Sequence, residues 1–140
     1  MDWTLEVIVV PVSDVERAME FYRDKLGFRL DHDTRVNDQV RIVQLTPPGS
    51  GCSIVIGEGV YEVGGGEAPA PGSYRGLQLV VTDIKRAHAE LTERGVEVSE
   101  IQQLGQGDGA TFMFFKDPDG NAWAVQEFVQ RETRPLRDTL

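Results

Sequence analysis

Residues 7–14 (VIVVPVSD) and residues 76–83 (GLQLVVTD) decide the fold, because the second stretch repeats the pattern of the first. In each stretch an apolar run rich in β-branched residues, typical of a strand, ends in an aspartate and leads into a helical pattern. A helix that opens at Asp14 or Asp83 has a side chain suited to capping its free N–H groups. An internal repeat of this kind indicates that one structural unit occurs twice.

The same elements follow both stretches in the same order. Helices are predicted at 15–26 and 84–94, each closed by a glycine, Gly27 or Gly95, the residue most common after a helix end. Strands are predicted at 5–12, 29–33, 40–45 and 52–56 in the first copy, and at 77–81, 96–101, 111–116 and 122–128 in the second. The chain is therefore expected to be an α+β protein of two β-α-β-β-β repeats, each a small curved mixed sheet backed by one helix.

The length of 140 residues suits a single domain, residues 1–140, built from both repeats. The repeats are expected at 3–57 and 75–129, joined at 58–74 by a segment rich in glycine and proline. The length of this linker allows the two repeats to pair within one chain or to exchange between two chains.

Charge and composition limit the kinds of molecule with which the protein is expected to interact. The net charge of −9, from 14 basic and 23 acidic residues, argues against nucleic acid, whose phosphates attract a basic surface. No run of about 18 apolar residues and no signal-peptide pattern occurs, which favours a cytoplasmic protein without a membrane partner. The one cysteine, Cys52, excludes an internal disulfide and cannot form a thiolate metal site alone.

Three motifs carry a family resemblance: residues 21–22 (FY) and 26–28 (LGF) around the first helix end, and residues 117–121 (DPDGN). With the doubled unit, they resemble the vicinal oxygen chelate superfamily, which includes glyoxalase I, extradiol dioxygenases, and fosfomycin- and bleomycin-resistance proteins. The resemblance covers roughly residues 3–129. It implies a glyoxalase-like fold whose curved sheet surrounds a cavity, a small-molecule ligand and a homodimer.

In the enzymes of that superfamily, inward-facing positions on the first and last strands of each unit carry histidine, glutamate or glutamine ligands for a divalent metal. The matching positions here are Val7, Val55, Gly76 and Ala124, and none has a side-chain donor atom for such a metal. No metal and no other cofactor are therefore expected. A one-residue shift would bring Glu6 or Glu127 forward, but it would also turn the apolar side of the strand outward.

Strand alternation extends the list of inward positions, because residues two apart share a face. Gln78 and Gln126 join Gly76 and Ala124, while Trp123 and Val125 point the opposite way under a helix. Gln44 is an inward candidate of the first repeat. The predicted ligand-binding residues are thus Val7, Gln44, Val55, Gly76, Gln78, Ala124 and Gln126. The sequence leaves open whether Phe112 and Phe114, or Met113 and Phe115, line the same face.

Three functions fit these features. The first is a metal-free protein that holds an amphipathic or aromatic compound in a mostly apolar cavity, as the bleomycin-binding branch does. The second is a glyoxalase-like lyase or dioxygenase, which the four positions without donors oppose. The third is a metal-independent isomerase, cyclase or hydrolase, which would need an acid or base at the inward positions. No catalytic residue can be named from the sequence.

Overall fold

The computed structural model describes residues 1–131 and contains two four-stranded mixed sheets, each with a helix on one face. The first sheet has the order β1-β4-β3-β2 and contains β1 (Val7–Val9), β2 (Arg29–Arg35), β3 (Arg41–Thr46) and β4 (Ser53–Glu58). The second has the order β5-β8-β7-β6 and contains β5 (Leu77–Val81), β6 (Gln102–Gln103), β7 (Thr111–Lys116) and β8 (Ala122–Glu127). The predicted fold class is confirmed.

Three α-helices accompany the strands in this part of the chain: α1 (Val15–Glu20), α2 (Val60–Val63) and α3 (Ile84–Glu93). α1 continues into a π-helical turn, Phe21–Lys25, so that the predicted helix 15–26 changes its hydrogen bonding halfway along. Contacts divide the chain into two units. The first unit contains residues 1–74 and the turn 117–121, and the second contains the rest of residues 1–131.

One face of the first sheet is covered by α1. Strand register places Val43, Leu45, Ile54 and Ile56 on this face, and all four are at most 4% exposed. Val15, Ala18 and Met19 of α1 are buried as well. These side chains form the core of the first unit, and the other face of its sheet is free of the helix.

The second sheet follows the same plan beneath α3. Met113, Phe115, Trp123 and Val125 share the helix side and are at most 4% exposed. The rings of Phe115 and Trp123 stack at 6.0 Å. The predicted placement of Trp123 and Val125 is therefore confirmed, and the question left open by the sequence is settled: Phe112 and Phe114 lie on the opposite face.

Aspartates cap both long helices, as the sequence predicts. The side chains of Asp14 and Asp83 each accept a hydrogen bond of 3.1 Å, from the backbone N–H of Arg17 and of Arg86. Glu127 adds a second cap by accepting from the Ile84 N–H at 2.9 Å. Glu127 thus points to the helix side, and the one-residue shift that would bring it to the open face does not occur.

The turn 117–121 is a buried polar junction of the first unit. One carboxylate oxygen of Asp117 accepts from the backbone N–H groups of Asp119, Gly120 and Asn121 at 2.9–3.0 Å. Its other oxygen accepts from the Tyr22 hydroxyl at 2.7 Å and from the Asn121 amide at 2.8 Å. The DPDGN motif therefore has a structural role, because its Asp117 holds this turn against Tyr22 at the end of the first helix.

Two predicted strands are much shorter or largely absent in the structure, and four others differ from their predicted bounds by one or two residues at an end. The strand predicted at 5–12 is only Val7–Val9, because its partner β4 starts at Ser53 and Pro11 has no N–H to continue the ladder. The strand predicted at 96–101 is reduced to an isolated bridge at Val98, followed by β6. At Ser99 the side-chain oxygen accepts from the Phe114 N–H at 2.9 Å, a position that a main-chain carbonyl occupies in a regular ladder.

The segment predicted as a linker, 58–74, is attached to the first unit. It contains α2, and the Tyr61 hydroxyl donates to the Val9 carbonyl at 2.7 Å. The Tyr74 N–H donates to the Asn121 side chain at 3.1 Å. Gly72 lies so close to the turn 117–121 that a Cβ atom would fall 2.0 Å from the Asp119 carbonyl oxygen. Only glycine fits there.

Candidate functional site

The open face of the second sheet is aromatic and amide-rich. Register aligns Gln78 with Ala124 and Phe114 in one row across the strands, and Val80 with Gln126 and Phe112 in the next. The rings of Phe112 and Phe114 lie 6.3 Å apart and nearly parallel, with an interplanar angle of 5°. Phe114 is 37% exposed, an unusual degree of exposure for a phenylalanine at a strand centre. We call these six residues the aromatic face.

Two amides on the aromatic face form a directed chain. Gln78 Nε2 donates to Gln126 Oε1 at 2.7 Å, and Gln126 Nε2 donates to the Gly109 carbonyl at 2.6 Å. Gln126 is thereby satisfied by its surroundings. The exposed Gln78 is held in an orientation that leaves its carbonyl oxygen available as an acceptor at the surface of the face.

The open face of the first sheet is apolar on β1 and at Val55 of β4, and polar toward the opposite edge strand, β2. Register aligns Val9, Val55, Gln44 and His32 in one row across all four strands, with Val7 and Ser53 paired beside it. Val55 is only 6% exposed, whereas Val7, Val9 and Gln44 are half-buried.

A polar cluster lies on this face where β2 contains a β-bulge between Leu30 and His32. Asp31 accepts from the Thr46 hydroxyl, from Gln44 Nε2 at 3.3 Å and from Arg29 Nε at 2.9 Å. The Thr46 and Ser53 hydroxyl oxygens lie 2.6 Å apart. The hydrogen bond from Thr46, helped by Arg29 and Gln44, holds the pKa of Asp31 below its usual value despite partial burial. We call Asp31, Gln44, Thr46 and Ser53 the bulge cluster.

The structure places the predicted ligand-binding residues in two groups, one in each unit. Gln78, Ala124 and Gln126 lie together on the aromatic face, and Gly76 immediately precedes β5 with a φ of 81°. In the first unit, Gln44 pairs with Val55, and Val7 is one row away on the same face. Strand alternation correctly predicts which of these side chains share a face. Their contact with a ligand stays a prediction.

Sequence reasoning missed the bulge cluster. Without the bulge, His32 would point to the helix side and Asp33 to the open face; with it, His32 lies opposite Gln44, and Asp33 reaches Arg41 on the helix side at 2.7 Å. A bulge changes the alternation by one residue and leaves no reliable trace in the sequence. The only available signal was the unusually polar content of β2 (RLDHDTR).

The metal implied by the enzymes of the superfamily does not fit these residues. Val7, Val55, Gly76 and Ala124 present no nitrogen, oxygen or sulfur ligand from their side chains. Among residues 1–131, no group of three or more His, Cys, Asp or Glu side chains is arranged to hold a metal ion. The open faces therefore offer hydrogen bonds and apolar contact as their chemistry.

A cavity of about 450 Å³ lies at the end of the first sheet, beside the start of α1 and α2. Its charged side chains are largely paired: Arg41 bonds Glu16 and Asp33, both at 2.7 Å, and Glu58 bonds Arg35 at 2.8 Å. The hydrogen bonds that Arg41 donates to Asp33 and Glu16 raise the pKa of Arg41 further above its usual value. None of the predicted ligand-binding residues lines this cavity.

Comparison with known proteins agrees with the two-sheet fold described above. Residues 4–125 match the sequence profile of the Glyoxalase/Bleomycin resistance protein/Dioxygenase superfamily. The chain belongs to this superfamily. The family resemblance predicted from the sequence is confirmed.

Two solved structures and one curated protein illustrate the relationship. TnmS3, an antibiotic binding protein from Streptomyces sp. CB03234, is 32% identical with a TM-score of 0.73, over 90% of this chain and 96% of that one. A superfamily member from Sphaerobacter thermophilus DSM 20745 is 31% identical with a TM-score of 0.74, over 90% and 98%. The uncharacterized protein YetH of Bacillus subtilis (strain 168) is 25% identical over 86% of this chain and 94% of its own.

No helix within residues 1–131 combines the length and the apolar character needed to cross a bilayer.

Proposed function

We propose that this protein binds an aromatic or amphipathic small molecule, without a metal ion, through the open faces of its sheets. The predicted contact residues are assigned separately in each unit: Gln78, Gln126, Gly76 and Ala124 in the second, and Gln44, Val7 and Val55 in the first. Phe112 and Phe114 join them. The function is reversible binding, and no chemical step is assigned to these residues.

The observation that carries the proposal is the aromatic face. Apolar rings on an open sheet face cost free energy in water, and ligand sites combine such surface with a few oriented polar groups. Phe112 and Phe114 provide two parallel ring surfaces, and the neighbouring Gln78 carbonyl oxygen is a fixed acceptor. Aromatic rings prefer offset-stacked or edge-to-face partners, so a planar ring system is the complementary ligand.

One superfamily relative supports a binding function over a catalytic one. TnmS3 is an antibiotic binding protein that is 32% identical to this chain over 90% of this chain and 96% of its own. The amides of Gln78 and Gln126 are neutral at all accessible pH values and cannot serve as proton carriers. Both the chemistry of these side chains and the similarity to TnmS3 therefore support the binding of a small molecule without a reaction.

A thermal-shift screen of planar aromatic compounds tests the proposal, followed by fluorescence titration of the hits. A ligand that binds the folded state raises the melting temperature by mass action, by an amount that grows with its concentration. Phe114→Leu keeps an apolar side chain but removes the ring, and we expect it to weaken binding about tenfold, the effect of roughly 1.4 kcal/mol. Val63→Ala, at another exposed apolar residue, should leave affinity unchanged.

Two results would contradict this function. One is the absence of any stabilising compound in a broad aromatic library. The other is a stoichiometric transition metal in the purified protein whose removal by a chelator lowers the melting temperature. That result would favour a metal-dependent enzyme. We expect chelator treatment to leave both the melting temperature and ligand affinity unchanged.

We further propose that the protein acts as a homodimer. Each sheet has two edge strands with a single neighbouring strand, β1 and β2 in the first and β5 and β6 in the second, and pairing between chains is one way to cover such edges. Light scattering coupled to size-exclusion chromatography distinguishes a dimer of about twice 15.5 kDa from a monomer of 15.5 kDa.

A further inference from the structure

We propose that the aromatic face selects planar ligands that carry a hydrogen-bond donor, an N–H or O–H group, at the ring edge, and discriminates against analogues that carry an acceptor there. This inference rests on the proposed function, since it specifies which aromatic molecules the face binds best. It concerns the second unit alone, because Gln78, Gly109, Phe114, Ala124 and Gln126 all belong to that unit.

The orientation of the two amides is decided by the last group in their chain. The main-chain carbonyl of Gly109 can only accept, so the 2.6 Å contact with Gln126 requires the Nε2 atom of that side chain. Gln126 Oε1 is thereby turned toward Gln78, and the 2.7 Å contact between them requires Gln78 Nε2 as the donor. One carbonyl therefore fixes the orientation of both amides.

The backbone around Gly109 holds that carbonyl in place. Gly109 has a φ of +92°, a conformation that favours glycine, and a Cβ atom at this position would fall 2.7 Å from the Phe128 ring. The neighbouring Ala110 carbonyl accepts from the Leu104 N–H at 2.8 Å. The acceptor that orients the amides thus belongs to a hydrogen-bonded turn packed against a ring.

The amide chain leaves one polar atom for a ligand. Gln78 Oε1 accepts no hydrogen bond from residues 1–131, and the side chain is exposed, so water can bond to this oxygen in the free protein. A ligand that covers the oxygen displaces this water. It must then supply a donor or leave the acceptor unpaired, which costs free energy. Selection for a donor follows from this cost.

The spacing of the strands allows one ring system to meet both the amide and the phenylalanine. Register places Ala124 between Gln78 and Phe114 in a single row. Neighbouring strands lie about 4.8 Å apart, so the backbones of Gln78 and Phe114 are separated by about 10 Å. The methyl group of Ala124 fills little of this space, and a fused planar ring system can lie there beside Phe114 with one edge at Gln78.

A matched pair of tricyclic compounds tests the inference. Carbazole and dibenzofuran have the same planar shape and no charge, but the N–H donor of carbazole is replaced by an oxygen acceptor in dibenzofuran. Dibenzofuran is the more apolar compound, so hydrophobic contact alone would favour it. We expect the full-length protein to bind carbazole about tenfold more tightly, the effect of one hydrogen bond made or lost. Carbazole binding is followed by its fluorescence, and dibenzofuran binding by competition with carbazole.

Two variants assign the selectivity to the amide chain. Gln78→Met keeps the side-chain length and removes the acceptor, and should reduce the affinity ratio to about one. Gln126→Met keeps the Gln78 oxygen but removes the bond that orients its amide, and should reduce the ratio to about threefold. Gln126 is thus a positioning residue, and its variant keeps the inference falsifiable should Gln78→Met fail to fold.

Gln103→Met is the matched control. Gln102 pairs with Phe112 and Gln103 with Thr111, so Gln103 lies on the same sheet but on the opposite face. The same substitution at this position should leave the ratio near tenfold.

The outcomes separate the two proposals. Equal affinity of the wild type for both compounds, or tighter binding of dibenzofuran, would overturn donor selection and leave aromatic binding intact. A tenfold ratio that persists in Gln78→Met, or that falls as far in Gln103→Met, would overturn donor selection as well. If neither compound binds, aromatic binding fails for this ring system, and donor selection fails with it.

Discussion

Replacing Tyr22 by phenylalanine tests whether the DPDGN turn holds the first unit together. The tyrosine is fully buried, and its hydroxyl donates to Asp117 at 2.7 Å across 95 residues of sequence. The substitution removes one oxygen atom and keeps the ring, which stacks on Phe28 and meets Phe21 edge-on. The change therefore isolates a single hydrogen bond.

The expected loss follows from the acceptor. Asp117 is 5% exposed and accepts five hydrogen bonds, so no solvent replaces the missing donor. A hydrogen bond to a charged group contributes about 1.5–3 kcal/mol, and we expect a loss of about 2 kcal/mol in the free energy of unfolding. For a chain of this length that corresponds to roughly 6–8 °C in melting temperature.

Tyr61→Phe is the matched comparison, because the Tyr61 hydroxyl also donates at 2.7 Å, but to the neutral carbonyl of Val9. It should cost only about 1 kcal/mol. Urea unfolding, followed by tryptophan fluorescence and circular dichroism with coincident transitions, measures both values. A loss below about 0.5 kcal/mol for Tyr22→Phe, or a loss no larger than that of Tyr61→Phe, would refute a central role for the charged acceptor.

Two further predictions concern glycine and pH. Gly109→Ala should destabilise the protein by about 1–3 kcal/mol, because the residue has a φ of +92° and a Cβ atom would fall 2.7 Å from the Phe128 ring. Gly107→Ala, with a φ of +83° but open space around it, should cost less in the same urea assay. Asp31 and Asp33 both have lowered pKa values, from Thr46 and from Arg41 respectively, so their stabilisation is present above about pH 4 and is lost as pH falls through the lower folded values. Urea midpoints from pH 7 to pH 3 should therefore fall less steeply in Asp31→Asn and Asp33→Asn than in wild type, and parallel curves would contradict this.

Much of the architecture could be predicted from the sequence, because it depends on local patterns. The repeated apolar strands and capping aspartates give the order of elements, and two strands, Leu77–Val81 and Thr111–Lys116, are predicted with their observed bounds. Alternation also predicts that Gln78, Ala124 and Gln126 share a face. Periodicity is a property of neighbouring residues, so it can be read without knowledge of the fold.

Predictions failed where a partner strand or a distant side chain decides the local structure. The region 96–101 has strand character, but Ser99 bonds Phe114 with its side chain and interrupts the ladder. The segment 58–74, predicted as the linker, leads to the second unit, and its contacts with the first unit through Tyr61, Gly72 and Tyr74 could not be read from its composition. Composition indicates which conformations a segment can adopt, whereas its contacts depend on residues that are distant in the sequence.

The sequence by itself determined the doubled β-α-β-β-β plan, the core faces and the lack of metal ligands at the four inward positions, because these depend on residue type and spacing alone. Tertiary structure decided the chemistry of the open faces. Phe112 and Phe114 became a parallel pair, and the bulge placed the carboxylate of Asp31 within hydrogen-bond distance of Gln44 and Thr46. Register between strands is set by long-range pairing, and one extra residue in a single strand changes which side chains meet.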